Sequence, residues 1–148
     1  MTIIRPAGPG DAGPISGVAR EAYAHYVGRM GREPEPMMAN YGALIEAGGV
    51  FVAEQSDVVV GLLVHHVGAG HLLLVNVAVS PGAQGTGLGA RLLAFTEDRA
   101  RELGLPEVRL YTNEAMVENI AYYSRHGFVA MHRATEAGYR RVFFTKYV

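Results

Sequence analysis

The chain has 148 residues, of which 49% are hydrophobic and 18% charged, and its formal net charge is −1. A nearly neutral chain sets up no electrostatic field that attracts nucleic acid or an anionic membrane surface, so neither is expected as a partner. The absence of cysteine excludes disulfides, thiolate metal sites and a thiol nucleophile. The N-terminus has no basic segment followed by an apolar one, so we expect a soluble, cytoplasmic protein with a single domain over residues 1–148.

Helical spacing and turn residues organise the first third of the chain. The predicted elements are a strand over 2–5, a helix over 11–29, a loop over 31–36 and a helix over 37–47. Asp11 is predicted to cap the first helix, and Gly48 to stop the second. The loop follows from two prolines, because each removes a backbone donor and restricts the residue before it.

The sequence pattern then changes to one typical of strands and hairpins. Three strands, joined by short turns into an antiparallel meander, are predicted over 50–54, 58–67 and 71–79. The third of them reads HLLLVNVAV, which is typical of a central strand that is covered on both faces. Only Asn76 interrupts its apolar run.

The rest of the chain alternates helices and strands. The predicted elements are a helix over 85–103, a strand over 107–112, a helix over 115–126 and a hairpin of strands over 128–135 and 139–147. The whole order, β-α-α-β-β-β-α-β-α-β-β, predicts an α/β fold. Its seven-stranded sheet is mixed but mainly antiparallel, with helices on both faces.

A glycine-rich turn between the third strand of the meander and the next helix is the most informative segment. Glycines at a helix N-terminus let an anion reach several unpaired backbone N–H groups, which is typical of a phosphate or pyrophosphate site. The alternative is a connection whose glycines only allow close packing on the sheet. A P-loop is excluded because Leu88, and not lysine, follows Gly87. A dinucleotide-binding fold fits poorly, because five residues separate the turn from a strand that is fourth in the chain.

The run Gln84-x-x-Gly87-x-Gly89, preceded by VAVSP, resembles the coenzyme A motif of the GNAT superfamily of N-acetyltransferases. A second signature at the usual distance strengthens the resemblance, which covers essentially the whole chain. It consists of Asn119, Ala121, Tyr122, Tyr123 and the pair Gly127-Phe128. The resemblance therefore implies a GNAT-like fold.

The resemblance also implies which residues bind acetyl-coenzyme A. The turn and helix start would bind the pyrophosphate, and the strand before them would bind the pantetheine arm through its backbone. That strand would diverge from the next one and leave a cleft for the thioester. The implied cofactor-binding residues are Val77, Ala78, Val79, Gln84, Gly85, Thr86, Gly87, Leu88, Gly89 and Asn119.

Tyr123 occupies the position where the family carries the tyrosine that protonates the departing thiolate. A phenol, with a reference pKa of about 10, can act as such a general acid. Its neighbour Tyr122 points about 100° away on the same helix, so only one of the two can face a cleft. The alternative role for Tyr123 is that of a core aromatic residue beside Met116 and Ile120.

The remaining positions near these motifs do not identify a general base. Met116 stands where many family members have asparagine, and Asn113 is read as a helix N-cap. Positions that carry a carboxylate base in some members hold Asn76 and Tyr111 here. Glu114, Glu33 and Glu35 remain candidates for a base that acts through water, and loss of the amine proton to solvent is a further alternative.

The sequence thus predicts an enzyme that transfers the acetyl group of acetyl-coenzyme A to a primary amine of a small molecule or peptide by direct attack. The segment between the first two strands would cover this acceptor, although it could equally be an ordinary amphipathic helix pair. No metal is expected, since the adjacent His65 and His66 point to opposite faces of a strand. A homodimer through the C-terminal hairpin is plausible. The alternative function is a non-catalytic module that binds and senses acyl-coenzyme A.

Overall fold

The computed structural model describes all residues, 1–148. Its seven strands are β1 (Thr2–Pro6), β2 (Val50–Gln55), β3 (Val58–Gly68), β4 (His71–Val79), β5 (Glu107–Asn113), β6 (Val129–Glu136) and β7 (Tyr139–Tyr147). Its six α-helices are α1 (Ala12–Tyr23), α2 (Tyr26–Met30), α3 (Glu35–Met38), α4 (Tyr41–Ala47), α5 (Leu88–Glu102) and α6 (Val117–Arg125). None of these helices has both the length and the apolar character that crossing a lipid bilayer requires.

The strands form one sheet in the order β1-β2-β3-β4-β5-β7-β6. The ladders β1–β2, β2–β3, β5–β7 and β6–β7 are antiparallel, whereas β4 and β5 run parallel. The prediction of a mixed, mainly antiparallel, seven-stranded sheet is therefore confirmed. The chain divides into two compact units, and we retain the single domain over 1–148 as a prediction.

The first unit comprises Met1–His65 and Asn76–Leu93. Its core is formed by fully buried apolar side chains of α1, β2, β3 and the start of α5: Ile15, Ala19, Val52, Ala53, Leu62, Leu63, Val64 and Leu92. Helix α1 also packs against α3 and α4. The apolar residues that set the predicted strand and helix periods are thus the ones that build this core.

The second unit comprises His66–Val75 and Ala94–Val148. The ladders of β5 with β7 and of β7 with β6 run over their full lengths, and each contains one buried face. The core side chains of this unit are Leu72, Leu74, Ala100, Val108, Leu110, Phe128, Val142 and Phe144. Strand β6 is exposed along most of its length.

Strand β4 has the predicted bounds but is not covered equally on both faces. Its buried residues alternate with half-buried ones, so that Asn76 shares the buried face with Leu74 and Ala78. The apolar run overstated the burial of the second face, because apolar side chains also contribute much of the accessible surface of a folded protein.

The predicted helix over 11–29 is wrong in its extent, because two helices, α1 and α2, occupy this stretch. At the break the backbone N–H of Val27 donates to the carbonyl of Ala24 at 3.2 Å, which replaces an α-helical bond by a tighter turn. Tyr23 and Tyr26 are buried on either side of this turn. Tertiary burial of both rings overrides the local helical pattern.

Asp11 is not the side-chain cap that the sequence predicts for α1. Its carboxylate accepts instead from the backbone N–H of Gly8 at 2.7 Å and from the guanidinium of Arg5 at 2.8 and 3.0 Å. Arg5 donates also to Glu54 on β2, at 2.7 Å. The carboxylate therefore serves as a link between β1, β2 and the turn that leads into α1.

The predicted loop over 31–36 and helix over 37–47 are also divided differently. Helix α3 begins at Glu35, since Pro36 lies in its first turn, where the missing N–H has no helical partner to lose. Asn40 then ends this helical stretch and starts α4, because its side-chain oxygen accepts from the N–H of Ala43 at 3.0 Å. An N-cap residue inside the predicted helix was the signal for this division.

Smaller differences concern the last helix and hairpin. Helix α6 begins two residues later than predicted, at Val117. Asn113 ends β5, and its side chain accepts from the N–H of Ala115 at 2.9 Å, which forms a turn before the helix in place of the predicted N-cap. The final hairpin turns at Ala137 and Gly138, both with positive φ.

Gly48 and Gly49 offer a matched test of the turn into β2, since their φ angles are 88° and 89°. A Cβ on Gly48 would meet no atom within 4 Å, whereas a Cβ on Gly49 would collide with the carbonyl oxygen of His65. Gly48→Ala should cost about 1–3 kcal/mol of unfolding free energy from backbone strain alone. Gly49→Ala should cost roughly 1–3 kcal/mol more through the collision. Urea unfolding measures both, and equal losses would contradict the predicted contact.

The Arg5–Asp11 pair predicts a pH dependence. Hydrogen bonding to Arg5, together with the N–H of Gly8, holds the pKa of Asp11 below its usual range. A lowered folded-state pKa adds stability above the unfolded-state value of about 3.9, and this stability is lost as the pH falls through the lower, folded-state value. Asp11→Asn should therefore destabilise the protein at pH near 7 but not at pH near 2. Asp98→Asn, in an exposed helical ion pair, is the control and should change little at either pH.

Candidate functional site

The C-terminal end of β4 continues beyond its ladder with β5. That ladder pairs Leu72, Leu73 and Leu74 with the residues Val108, Arg109 and Leu110, and β4 runs on for five residues to Val79. The predicted cofactor residues Val77, Ala78 and Val79 all lie in this extension. Their strand ends where the N–H of Ser80 donates to the carbonyl of Val60, at 2.8 Å.

The glycine-rich turn follows directly and differs from the prediction at one end. A single 3-10 turn, Pro81–Ala83, leads through extended Gln84 to Gly85 and Gly87, whose φ angles are 79° and 84°. Because left-handed backbone cannot continue a right-handed helix, α5 begins at Leu88 and not at Gly85. Gly85, Thr86 and Gly87 therefore belong to the turn, and the helix N-terminus lies at Leu88 and Gly89.

Two side chains of the turn hydrogen-bond to nearby backbone carbonyls. The hydroxyl of Thr86 donates to the carbonyl of Ala83 at 2.6 Å, and the amide of Gln84 donates to the carbonyl of Val79 at 3.1 Å. The first helical bond runs from the N–H of Arg91 to the carbonyl of Gly87, at 3.1 Å. The N–H groups that precede Arg91 in α5 are those that a helix leaves without an intrahelical partner.

The outer side of the turn is open. A Cβ added to Gly82, Gly85 or Gly87 would meet no atom within 4 Å. Gly61 on β3 is the contrast, since its Cβ would lie 3.3 Å from the carbonyl oxygen of Ala78. The glycines of the turn are thus explained by positive φ and free access, and not by close packing on the sheet. A 15-residue helix whose N-terminus is exposed in this way can receive an anionic group.

A buried hydrogen-bond network lies on the face of β4 that carries Asn76, and it was not predicted from the sequence. The hydroxyl of Tyr23 donates to Asn76 Oδ1 at 2.8 Å and also lies 3.1 Å from the carbonyl oxygen of Val77. Asn76 Nδ2 donates to the hydroxyl oxygen of Tyr41 at 2.9 Å. The Tyr41 hydroxyl donates in turn to the carbonyl of Pro36, at 2.5 Å. The one available signal was a polar residue inside the apolar run of β4.

Two members of the network, Tyr41 and Asn76, do not serve as proton acceptors at neutral pH. Burial raises the pKa of Tyr41 to about 12, against an opposing effect of its bond with Asn76. Tyr41 therefore stays protonated, and Asn76 has no ionisable group. The position that holds a carboxylate in some GNAT proteins thus holds an amide that is hydrogen-bonded through both its oxygen and its nitrogen in this one.

Tyr123 and Asn119 lie on α6 in the second unit. The Tyr123 side chain is 8% exposed, and its ring lies 5.8 Å from that of Phe128 and 6.0 Å from that of Phe144. Asn119 is half-buried, and its Nδ2 lies 3.6 Å from the Met116 sulfur. Met116 is itself buried, so the residue that replaces the family's asparagine packs as a core residue.

Tyr122 and Tyr123 contact each other edge to face but have different further neighbours. Their rings are inclined by 77° with centroids 5.8 Å apart. The ring of Tyr122 packs on His126 at 4.3 Å, and its burial raises its pKa, whereas the charge of Arg125 lowers it. The two tyrosines therefore occupy different surroundings, and Tyr122 provides a control for Tyr123.

The three carboxylates considered as general bases have different surroundings. Glu114 lies 3.5 Å from Arg133 and 3.4 Å from Arg140. The side chains of Glu33 and Glu35 are exposed. No group of three or more histidine, aspartate or glutamate side chains is placed to hold a metal ion, and of the adjacent histidines His65 is buried while His66 is exposed.

Solved structures with the same fold are known. The chain is similar to the PaiA N-acetyltransferase of Thermoplasma acidophilum in complex with coenzyme A, at 17% identity and a TM-score of 0.83, over 100% of this chain and 99% of that one. It is similar to the ribosomal-protein-S18-alanine N-acetyltransferase of Escherichia coli, at 18% identity and a TM-score of 0.79, over 100% and 94%. A GNAT acetyltransferase of Elizabethkingia anophelis with acetyl-coenzyme A bound has 16% identity and a TM-score of 0.73, over 99% and 98%. At these identities the likeness shows the fold.

The sequence comparisons decide the family. None of the curated proteins is similar enough in sequence to count as a relative. The model of the acetyltransferase (GNAT) family matches residues 18–128, a stretch that includes the open glycine turn and all of α6. With this match over most of its length, and with the fold that the sequence motifs predict, the chain belongs to the GNAT acetyltransferase family.

Proposed function

We propose that the protein is an N-acetyltransferase that moves the acetyl group of acetyl-coenzyme A to a primary amine of a small molecule or peptide. The observation that carries the proposal is the open turn between β4 and the N-terminus of α5. Gly85 and Gly87 adopt positive φ with open space around them, and the turn ends at the N-terminus of α5, whose first N–H groups have no intrahelical partner. An anionic pyrophosphate is the kind of group that such a helix end binds.

Acetyl-coenzyme A fits this part of the first unit. Gln84, Gly85, Thr86, Gly87, Leu88 and Gly89 would hold the pyrophosphate, and the backbone of Val77, Ala78 and Val79 would hold the pantetheine arm. Support comes from the extension of β4 beyond its ladder with β5, which leaves backbone groups for a ligand. The Thermoplasma and Elizabethkingia structures contain coenzyme A and acetyl-coenzyme A, respectively. Asn119 would contribute a further contact from α6.

The chemistry needs a proton for the departing thiolate. In direct transfer the neutral amine attacks the thioester carbonyl, a C–N bond forms, the C–S bond breaks and coenzyme A leaves as a thiol. Tyr123 would donate the proton to the sulfur as general acid. The chain contains no cysteine, so a thiol of the protein cannot carry the acetyl group.

The amine must lose a proton as well, and Glu114, the candidate base just before α6, lies 3.5 Å from Arg133 and 3.4 Å from Arg140. In the proposal the proton therefore passes to solvent, and turnover follows the neutral fraction of the amine. The acceptor class rests on the family, and the Escherichia coli structure is named for acetylation of a protein's alanine. A cytoplasmic location and a homodimer stay predictions.

The second candidate is a non-catalytic module that binds acyl-coenzyme A. It is favoured by the burial of Tyr123 between Phe128 and Phe144, which is the surrounding of a structural ring. Release of free thiol from acetyl-coenzyme A, followed over a panel of amines, amino acids and peptides, separates the two candidates. Amine-dependent release supports the transferase, whereas coenzyme A binding without release across the panel supports the module.

Tyr123→Phe tests the general acid, because it keeps the ring that packs in the core and removes the hydroxyl. We expect kcat to fall by about 100-fold or more, with coenzyme A affinity and the thermal midpoint little changed. Tyr122→Phe is the matched control on the same helix and should retain wild-type turnover. Equal turnover of wild type and Tyr123→Phe would remove Tyr123 from the mechanism.

Gly87→Ala tests the pyrophosphate turn. The new methyl group would meet no protein atom but would stand on the open side of the turn, where the anion is proposed to bind. The Kd for coenzyme A should rise by about tenfold or more. Gly70→Ala is the control, since Gly70 also has positive φ, 73°, and an open Cβ position, but lies in the β3–β4 turn. The two variants should lose similar stability, and a similar loss of affinity in both would contradict the proposed site.

A further inference from the structure

The network around Asn76 has a fixed direction. Tyr41 has a single hydroxyl proton and commits it to the carbonyl of Pro36, at 2.5 Å. Its oxygen can therefore only accept from Asn76, which must present its Nδ2 to Tyr41 and its Oδ1 to Tyr23. The donors run one way, from the Tyr23 hydroxyl through the Asn76 amide and the Tyr41 hydroxyl to the Pro36 carbonyl.

This direction explains why residue 76 is asparagine. The side chain needs an acceptor on one side and a donor on the other, at a position that is 6% exposed. An ionised aspartate would offer two acceptors and would set a lone pair against the Tyr41 oxygen, and leucine would offer neither group. Tyr41 is 3% exposed, so water cannot readily replace a missing partner.

The two tyrosines mark the ends of one segment. Tyr23 is the last residue of α1, and Tyr41 is the first residue of α4. Between them, residues 24–40 contain the short helices α2 and α3, and only Tyr26, Pro34 and Met37 of this segment are buried. A segment with so few buried side chains is easily opened unless its ends are fixed. Both of its ends are hydrogen-bonded to Asn76.

We propose that Asn76 is a positioning residue that, through Tyr23 and Tyr41, holds residues 24–40 in the arrangement from which this segment binds the acceptor. The inference rests on the proposed function for the identity of the acceptor. It assigns to position 76 a structural coupling between β4, which would carry the thioester arm, and the acceptor-binding segment. Asn76 itself exchanges no proton in the reaction.

Hydrogen exchange tests the anchoring without any substrate. In Asn76→Leu, which keeps the branching and the number of side-chain heavy atoms and removes both polar groups, amides of 24–40 should exchange faster than in the wild type, while those of β7 keep their rates. Tyr41→Phe breaks one link only, should show the same change at smaller size, and serves if Asn76→Leu folds poorly. Tyr147→Phe, at a tyrosine that is 73% exposed, is the control and should change nothing. Unchanged exchange of 24–40 in both test variants would overturn the proposal.

Kinetics test the consequence for the acceptor. With the amine of highest turnover in the panel, Asn76→Leu should raise the acceptor KM by about tenfold or more, whereas the Kd for coenzyme A should stay within about threefold. A merely structural loss of stability would lower the active fraction and leave both constants unchanged. An unchanged acceptor KM would overturn the positioning role.

The combined outcomes separate this inference from the proposed function. If no amine in the panel releases thiol, the transferase proposal fails, and hydrogen exchange still decides whether Asn76 anchors the segment. If thiol is released but Asn76→Leu leaves both the exchange and the acceptor KM unchanged, the transferase stands and the positioning role fails.

Discussion

An α-helix leaves the N–H groups of its first turn without partners inside the helix, and the functional proposal for this protein depends on where that end of α5 lies. Two glycines with positive φ stop the chain from entering the helix before Leu88. Internal bonds from Thr86 and Gln84 keep the preceding turn compact. The partial positive charge of the helix end is thereby exposed, close in the chain to the extended end of β4.

Much of this arrangement could be predicted because it is encoded locally. The bounds of β4 follow from its apolar run and those of β7 from the turn glycine before it, and the mixed, mainly antiparallel sheet follows from the order of the elements and the resemblance to the family. Glycine adopts positive φ far more readily than other residues, so the turn at Gly85 and Gly87 could be located from the sequence. The predicted start of the helix was nevertheless three residues too early. The predicted helix boundaries between residues 11 and 47 were wrong at Tyr23 and Tyr26, where tertiary burial sets them, and at Asn40, where the local N-cap signal was overlooked.

The network around Asn76 could not be predicted for a related reason. Its partners Tyr41 and Tyr23 are 35 and 53 residues away in the chain, and no periodicity links an isolated asparagine with two tyrosines on helices. The resemblance to the family placed only the segment between the first two strands, as a whole, over the acceptor. It assigned Asn76 only as the replacement of a carboxylate, whereas the structure gives its amide two specific partners.

That pair of partners makes the intervening segment a separable part of the protein. If residues 24–40 are held at both ends by one side chain, the exposed positions between Tyr26, Pro34 and Met37 can change while the strand that carries Asn76 keeps its packing and its register. Selection for a new acceptor can then act on this segment alone, while Tyr23, Asn76 and Tyr41 stay unchanged as its points of attachment. Under the proposed function, a chimera in which only residues 24–40 come from a second family member would have the acceptor preference of that member and would keep the coenzyme A turn of this chain.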